Sequence, residues 1–136
     1  MDELKLAVIK RASEINGAYL TNTINSGKYP PYKMVGMAYI NFAKDEPNLF
    51  KLLFMRNRND EVKPNSKEDK ENCKEIINII MKQTGLSFDK AYDIHLEMWI
   101  FVHGIASMIV TNYLNWDIDF IDRALTDVYK GLIGEK

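Results

Sequence analysis

The chain has only one cysteine, Cys73, and only four prolines in its 136 residues, and no stretch shows sustained alternation of apolar and polar residues. A single cysteine excludes an internal disulfide and is typical of a reducing compartment. The missing alternation predicts that there is no β-sheet. The N-terminal residues also lack the charged-then-apolar layout of a secretion signal, so we expect a cytoplasmic protein with no membrane association.

The chain also lacks an excess of charge, because its formal net charge is −1. A protein that neutralises many phosphates carries a basic run or patch, and the sequence has no such run. The hydrophobic fraction of 46% is ordinary for a globular protein. The length suits one domain with one core, so we assign residues 1–136 to a single domain.

Residues that commonly perform metal or catalytic chemistry are few. His95 and His103 are eight residues apart, ~12 Å along a helix and roughly 80° around it, so they cannot ligate one ion. Cys73 lies in an apolar helical stripe, where a cysteine is usually inert. Ser107 lacks a Gly-x-Ser-x-Gly turn, and the sequence has no glycine-rich phosphate loop. We therefore expect no metal, no cofactor and no enzymatic activity.

Apolar residues recur at spacings of three and four along most of the chain, which predicts helices. Pro31 and Pro47 fit first helical turns, Ser66 and Ser87 fit N-caps, and Gly85 fits a C-cap. The sequence therefore predicts an all-α domain of about six helices, with a loop at 57–66. The predicted helices span 2–25, 30–43, 47–56, 67–84, 87–115 and 118–132.

The helix predicted at 87–115 is the one around which the others are organised. It begins amphipathic and becomes apolar nearly all round between Met98 and Val110. A helix that is apolar on all sides must be covered on all sides. The apolar run is shorter than the ~20 residues that cross a membrane, so we expect protein to cover it. Gly104 in its interior costs about 1 kcal/mol relative to alanine and predicts a close helix crossing.

Two motifs in this order resemble the tetracycline-repressor (TetR) family of bacterial regulators. The first is Tyr39-Ile-Asn-Phe-Ala, followed by Pro47-Asn-Leu-Phe-Lys-Leu-Leu-Phe. The second is the Trp-x-x-x-His-Gly motif of Trp99, His103 and Gly104 on the central helix. The chain is similar to the C-terminal domain of this family from about Leu4 to Leu132. The resemblance implies a TetR-like helical bundle that senses an effector and dimerises through its last two long helices.

The resemblance also has consequences for DNA binding. Regulators of this family read DNA through an N-terminal helix-turn-helix, and Met1 to Leu4 correspond to the junction after it. We therefore expect this chain to lack that domain and to contact DNA only through a helix-turn-helix that is not present here. The implied function is modulation of DNA binding by an unknown small, largely apolar ligand. The alternative is a dimeric helical interaction module with no small-molecule site.

The number of large apolar side chains allows two readings. Plain core packing accounts for most of them, whereas some can line a cavity, since ligand pockets are mostly apolar with a few polar groups. For each histidine a hydrogen-bonded core position and a ligand contact are equally compatible with the pattern. We expect a pocket bounded by the first, second, third and central helices. Its predicted ligand-binding residues are Tyr39, Phe42, Met55, His95, Met98, Trp99 and His103.

Apolar residues after Gly104 and on the last helix occupy more than one face. Burial within one subunit would account for them, but exposed apolar patches above a few hundred Å² are rare on monomers. The resemblance implies a two-fold homodimer in which these helices meet their own copies. The residues predicted at the dimer interface are Met108, Ile109, Asn112, Ile121, Leu125 and Val128.

Overall fold

The computed structural model describes residues 3–56 and 63–134, and within these ranges every regular element is a helix. The prediction of an all-α fold is confirmed. Seven helices follow one another: α1 Glu3–Ser26, α2 Pro31–Asp45, α3 Pro47–Phe54, α4 Lys67–Asn72, α5 Lys74–Thr84, α6 Phe88–Val110 and α7 Ile118–Ile133. Residues 57–62 of the predicted loop and position 2 of the first predicted helix lie outside the described residues.

The helix ends follow the predicted local chemistry. Pro31 and Pro47 occupy the first turns of α2 and α3. The N–H that proline lacks would have had no partner within the helix at these positions. Ser66 Oγ accepts the Asp69 N–H at 3.0 Å, and Ser87 Oγ accepts the Lys90 N–H at 3.3 Å. These side chains satisfy backbone donors that have no partner within the helix.

The helix predicted over 67–84 is interrupted at Cys73, so α4 and α5 replace it. The Tyr92 phenol on α6 donates a hydrogen bond to the Asp69 carboxylate and accepts the Asn65 N–H at 2.9 Å. This pair of bonds fixes α4 against α6, whereas α5 is held separately by the buried Ile77. The turn at Cys73 joins two helices whose directions are set by different contacts, which the local pattern could not reveal.

The prediction that the central helix runs to 115 was wrong, because α6 ends at Val110. The Thr111 hydroxyl donates back to the Ser107 carbonyl at 2.7 Å, and Asn112 adopts a left-handed φ of 57°. The Tyr113 N–H then bonds to the Met108 carbonyl at 3.0 Å. Asparagine tolerates the left-handed region better than most residues, so it can end a helix as glycine does.

The core has two parts that share α2 and α6. One part joins α2 and α6 to α5 and α7, and its buried members include Ile40, Ile80 and Ile94. The other packs α1 and α3 against the opposite ends of the same two helices, around the fully buried Phe42 and Phe50. By length and composition α6 could cross a membrane. Here other helices pack along it, as they do around the central helix of a globular protein.

A close helix crossing occurs at Gly36 rather than at Gly104. A Cβ added to Gly36 of α2 would lie 2.9 Å from Leu125 Cδ2 of α7. A Cβ added to Gly104 would meet no atom within 4 Å. Gly36 therefore lets α7 approach α2, while the expected crossing at Gly104 is not present within the subunit.

Two glycine substitutions test the roles of glycine at a helix end and in a helix interior. Gly85 ends α5 with a left-handed φ of 75°, so Gly85→Ala should destabilise the protein by about 1–2 kcal/mol. Gly17 lies inside α1 with open space around it, so Gly17→Ala should stabilise it by about 1 kcal/mol. Urea denaturation midpoints of the two variants should move in opposite directions; movement in the same direction would contradict the assignment.

Candidate functional site

A cavity of about 310 Å³ opens between α2, α5, α6 and α7. Its size lies at the lower end of the range that small-molecule sites occupy. α2 and α6 form two of its walls, α7 lies across them, and the C-terminal turn of α5 reaches its edge. The lining residues are Pro30, Tyr32, Lys33, Val35, Gly36, Tyr39, Gln83, Thr84, His95, Met98, Trp99, Val102, Leu125, Thr126, Tyr129, Lys130 and Ile133.

The walls are mainly apolar and aromatic. Met98, Val102 and Leu125 are almost wholly buried core residues. The parts of their side chains that face the cavity are apolar. The ring of Tyr32 stacks on that of Tyr129, with centroids 5.1 Å apart. An apolar wall of this kind can release water from an apolar ligand, and a methionine adapts to its shape.

Tyr32 and His95 provide a polar pair on the wall, because the Tyr32 oxygen lies 2.9 Å from His95 Nδ1. Burial raises the pKa of the Tyr32 phenol, so this residue keeps its proton. Burial also lowers the pKa of His95, which keeps the imidazole neutral near pH 7. In the tautomer whose Nδ1 accepts the phenol proton, His95 carries its own proton on Nε2 and can donate a hydrogen bond.

Two links tie α7 to its neighbours at the cavity. Lys33 of α2 forms an ion pair with Asp122 and donates to the Thr126 hydroxyl at 2.6 Å. The Tyr129 hydroxyl donates to Gln83 Oε1 of α5 at 2.9 Å. Because these contacts are polar and lie at the cavity, a ligand that competes for them can alter the position of α7.

Four of the predicted ligand-binding residues lie in the cavity wall. They are Tyr39, His95, Met98 and Trp99, contributed by α2 and α6. These four residues come together because the motif residues fall on two helices that pack against each other.

The other three predicted residues lie elsewhere. Phe42 is fully buried against Tyr19 and Phe50, with ring centroids 5.5 and 6.4 Å away, so it belongs to the core. Met55 follows the end of α3 and is 41% exposed. His103 is not in the wall, because its ring stacks on Trp99 at 4.7 Å and its Nδ1 lies 2.6 Å from the Tyr39 oxygen. It supports two wall residues instead.

The predicted pocket boundary was wrong in naming α1 and α3, since α5 and α7 take their place. Sequence reasoning missed the α7 contribution because it assigned the apolar residues of that helix to a dimer interface. A signal was present: Thr126, Tyr129, Lys130 and Ile133 recur at spacings of three and four and share one face. Their mixed polarity is typical of a cavity wall.

Some of the predicted interface residues are buried within the subunit, and the others are partly or fully exposed. Ile121 is fully buried and Leu125 is 3% exposed within the subunit, so neither can touch a partner in this fold. Both fill the space between α7 and the helices beneath it. Met108, Ile109 and Val128 are half-buried, and Asn112 is exposed at the turn after α6.

On α6 and α7, the large apolar residues that reach the surface occupy other positions. Ile100 on α6 is 66% exposed and Phe120 on α7 is 45% exposed. Gly104 and Gly131 face open space on the same two helices. These four positions, with the half-buried Met108, define the outer face of α6 and α7.

Comparison with known protein families identifies the family to which this domain belongs. Residues 33–129 match the family model described as "Tetracyclin repressor-like, C-terminal domain". This match covers more than half of the chain, and the protein therefore belongs to the TetR family as a C-terminal regulatory domain. Searches of curated proteins and of solved structures gave no significant match.

Membership defines the class of activity. Domains of this kind serve transcription regulators as effector-binding and dimerisation domains, and they are not enzymes. Regulators of the family are soluble proteins. In the described ranges, no three His, Cys, Asp or Glu side chains come close enough to hold a metal ion. The match also includes the segments of α2, α5, α6 and α7 that enclose most of the cavity.

The His95 environment predicts a pH dependence of stability. Burial lowers its pKa below the ordinary 6.5, with the Asp69 carboxylate opposing this effect. As the pH falls below about 6.5, the unfolded chain gains a proton that the folded protein does not, so the free energy of unfolding falls. The melting temperature should therefore drop between pH 7.5 and pH 5.5 in calorimetry.

Two variants separate the titration of His95 from its hydrogen bond. His95→Gln removes the titrating group and should flatten this part of the pH profile. Tyr32→Phe removes the hydrogen bond but keeps the imidazole, so it should lower stability at every pH and retain the slope. An unchanged slope in His95→Gln would assign the pH dependence to other groups.

Proposed function

We propose that the cavity is the effector site of a dimeric TetR-like regulatory domain, and that its ligand is a small, largely apolar molecule. The observation behind this proposal is a mainly apolar cavity of about 310 Å³ between α2, α5, α6 and α7 of a helical domain. A filled core would have favoured the alternative, an interaction module without a small-molecule site. The domain acts in the cytoplasm, and it reaches DNA through a helix-turn-helix of the intact regulator.

The position of α7 suggests how a ligand acts. One face of this helix lines the cavity through Leu125, Thr126 and Tyr129, and another carries the exposed Phe120. A ligand that fits one position of α7 better than another shifts the population of the two positions. In a dimer that uses the outer face of α6 and α7, such a shift changes the spacing of the subunits. Operator affinity of the intact regulator then changes through coupling between the two sites.

The dimer proposal now rests on the outer face of α6 and α7 rather than on Ile121 and Leu125. Ile100, Gly104 and Met108 lie along one side of α6, and Phe120 lies on the neighbouring helix. A glycine without neighbours in its own subunit allows a second helix to approach closely. Self-association of this face in a two-fold dimer would bury its apolar side chains.

Binding in the cavity can be tested with Trp99 as the reporter. Trp116 is the second tryptophan; it stacks on Phe120, and its buried Nε1 has no hydrogen-bond partner among the described residues, so Trp116→Phe should be tolerated. In this background, the neutral probe 3-phenylpropan-1-ol should change Trp99 fluorescence in a saturable way. It should also raise the melting temperature, because it binds the folded state.

A pair of valine-to-phenylalanine variants locates the probe. Val102 is 5% exposed and lines the cavity, so Val102→Phe should fill it and abolish both responses. Val8 is 42% exposed on α1, so Val8→Phe should leave both responses intact. If Val102→Phe binds the probe as tightly as Val8→Phe does, or if neither variant binds it, the effector site is refuted.

Three glutamate variants test the dimer by sedimentation. The unmodified protein should sediment at about twice its 15.8 kDa chain mass at micromolar concentration. Ile100→Glu places charge on the exposed outer face, so it should give a folded monomer, whereas Leu6→Glu on the exposed part of α1 should remain dimeric. Leu125→Glu should unfold the chain, because it buries an unpaired charge at a cost of several kcal/mol. If Ile100→Glu still sediments as a folded dimer, the interface does not lie on the outer face of α6 and α7.

A further inference from the structure

We propose that the effector is a small amphipathic carboxylate whose acid group lies between Lys33 and Lys130, with its apolar body along Met98, Trp99 and Val102. This inference rests on the proposed function, since it names the chemical class of ligand for the same cavity. It follows from the charges, the hydrogen-bond donors and the size of the site.

The charge of the lining is positive. Lys33 and Lys130 both line the cavity, and no aspartate or glutamate of the described ranges does so. Lys33 pairs with Asp122, which lies next to the cavity rather than in its wall. The charge of Lys130 contributes to lowering the pKa of Lys33, after the larger effect of burial, so the two ammonium groups lie within electrostatic reach. Two lysine cations and the one carboxylate paired with Lys33 leave one positive charge for a ligand to balance.

The hydrogen bonds at the cavity also favour a ligand that accepts. The Thr84 hydroxyl donates to the Ile80 carbonyl, and the Thr126 hydroxyl donates to the Asp122 carbonyl while it accepts from Lys33. These hydroxyls are already engaged within the protein.

Two further polar groups of the wall can present donors. Gln83 Oε1 accepts the Tyr129 proton, so Gln83 offers its N–H groups to the cavity. His95 adds an Nε2–H donor in the tautomer whose Nδ1 accepts the Tyr32 proton. A carboxylate has only acceptors and therefore complements this set, whereas an ammonium group has only donors.

The positive charge of the site also disfavours ligands with a cationic head. A cationic head would meet two lysine side chains and no lining carboxylate, and like charges at close range repel. A neutral ligand would gain the apolar contacts and neutral hydrogen bonds. A carboxylate gains the same contacts and, in addition, charge-assisted hydrogen bonds, which are shorter and stronger than neutral ones.

The cavity size limits the apolar body. A volume of about 310 Å³ is at the bottom of the range for small-molecule sites, so long acyl chains and multi-ring compounds do not fit without movement of α7. A single ring or a short branched chain is of suitable size, and Tyr39 and Trp99 provide flat surfaces on which a ring can stack.

Three probes with the same body separate the head groups: 3-phenylpropionate, 3-phenylpropan-1-ol and 3-phenylpropylamine. Titrated into the Trp116→Phe protein at pH 7.5, the carboxylate should bind about tenfold or more tightly than the alcohol, and the amine should bind more weakly than the alcohol. Raising the salt concentration should weaken carboxylate binding and leave alcohol binding unchanged, because salt screens the lysine charges.

A matched lysine pair tests the position of the acid group. Lys130 is an exposed residue of the cavity wall, so Lys130→Gln should fold normally and remove most of the advantage of the carboxylate over the alcohol. Lys10, exposed on α1, gives the control, and Lys10→Gln should retain the full advantage.

The outcomes separate this inference from the proposed function. If the alcohol binds in the cavity but the carboxylate binds no more tightly, or if the amine binds best, the effector site stands and the carboxylate proposal is wrong. If Lys130→Gln keeps the full carboxylate preference, the acid group lies elsewhere and the placement is wrong. If none of the three probes binds, both proposals fail together.

Discussion

The contact between α2 and α6 is the constraint on which the rest of this structure depends. Two tyrosines on α2, Tyr32 and Tyr39, reach the two histidines on α6, His95 and His103, with oxygen-to-nitrogen distances of 2.9 and 2.6 Å. The tyrosines are seven residues apart and the histidines eight, which is about two helical turns on each helix. Two bonds at this separation fix both the register and the angle of the pair. A single bond would leave α2 able to pivot.

Everything else packs onto this pair. α1 and α3 cover one end around Phe42 and Phe50, while α5 and α7 cover the other. At that second end the coverage is incomplete. Gly36 lets α7 come close to α2 at one point, and the polar links of Lys33 and Tyr129 hold it at others. The cavity is the space that remains between these points of attachment.

This arrangement is the reason why the proposed response to a ligand is assigned to α7. Its inner face combines two deeply buried residues, Ile121 and Leu125, with a polar stretch that lines the cavity. Apolar burial is not directional, whereas the ion pair and hydrogen bonds depend on geometry. A ligand can therefore exchange the polar contacts for its own while the buried residues keep the helix attached. The same helix carries part of the outer face proposed for the dimer, so in the proposed dimer a change in the cavity would reach the subunit interface through α7.

The sequence by itself determined the helical class, the principal helix starts and the resemblance to the TetR family, because periodicity, caps and motifs are local properties. It also identified Tyr39, His95, Met98 and Trp99 as neighbours, since they lie on the two helices that carry the motifs. It could not show that Cys73 interrupts a helix, which depends on bonds from Tyr92 on another helix. Only the tertiary structure decided which apolar face of α7 is inside. Ile121 and Leu125 carry the same local signal as interface residues, and their burial within the subunit follows from the approach of α7 to α2 at Gly36.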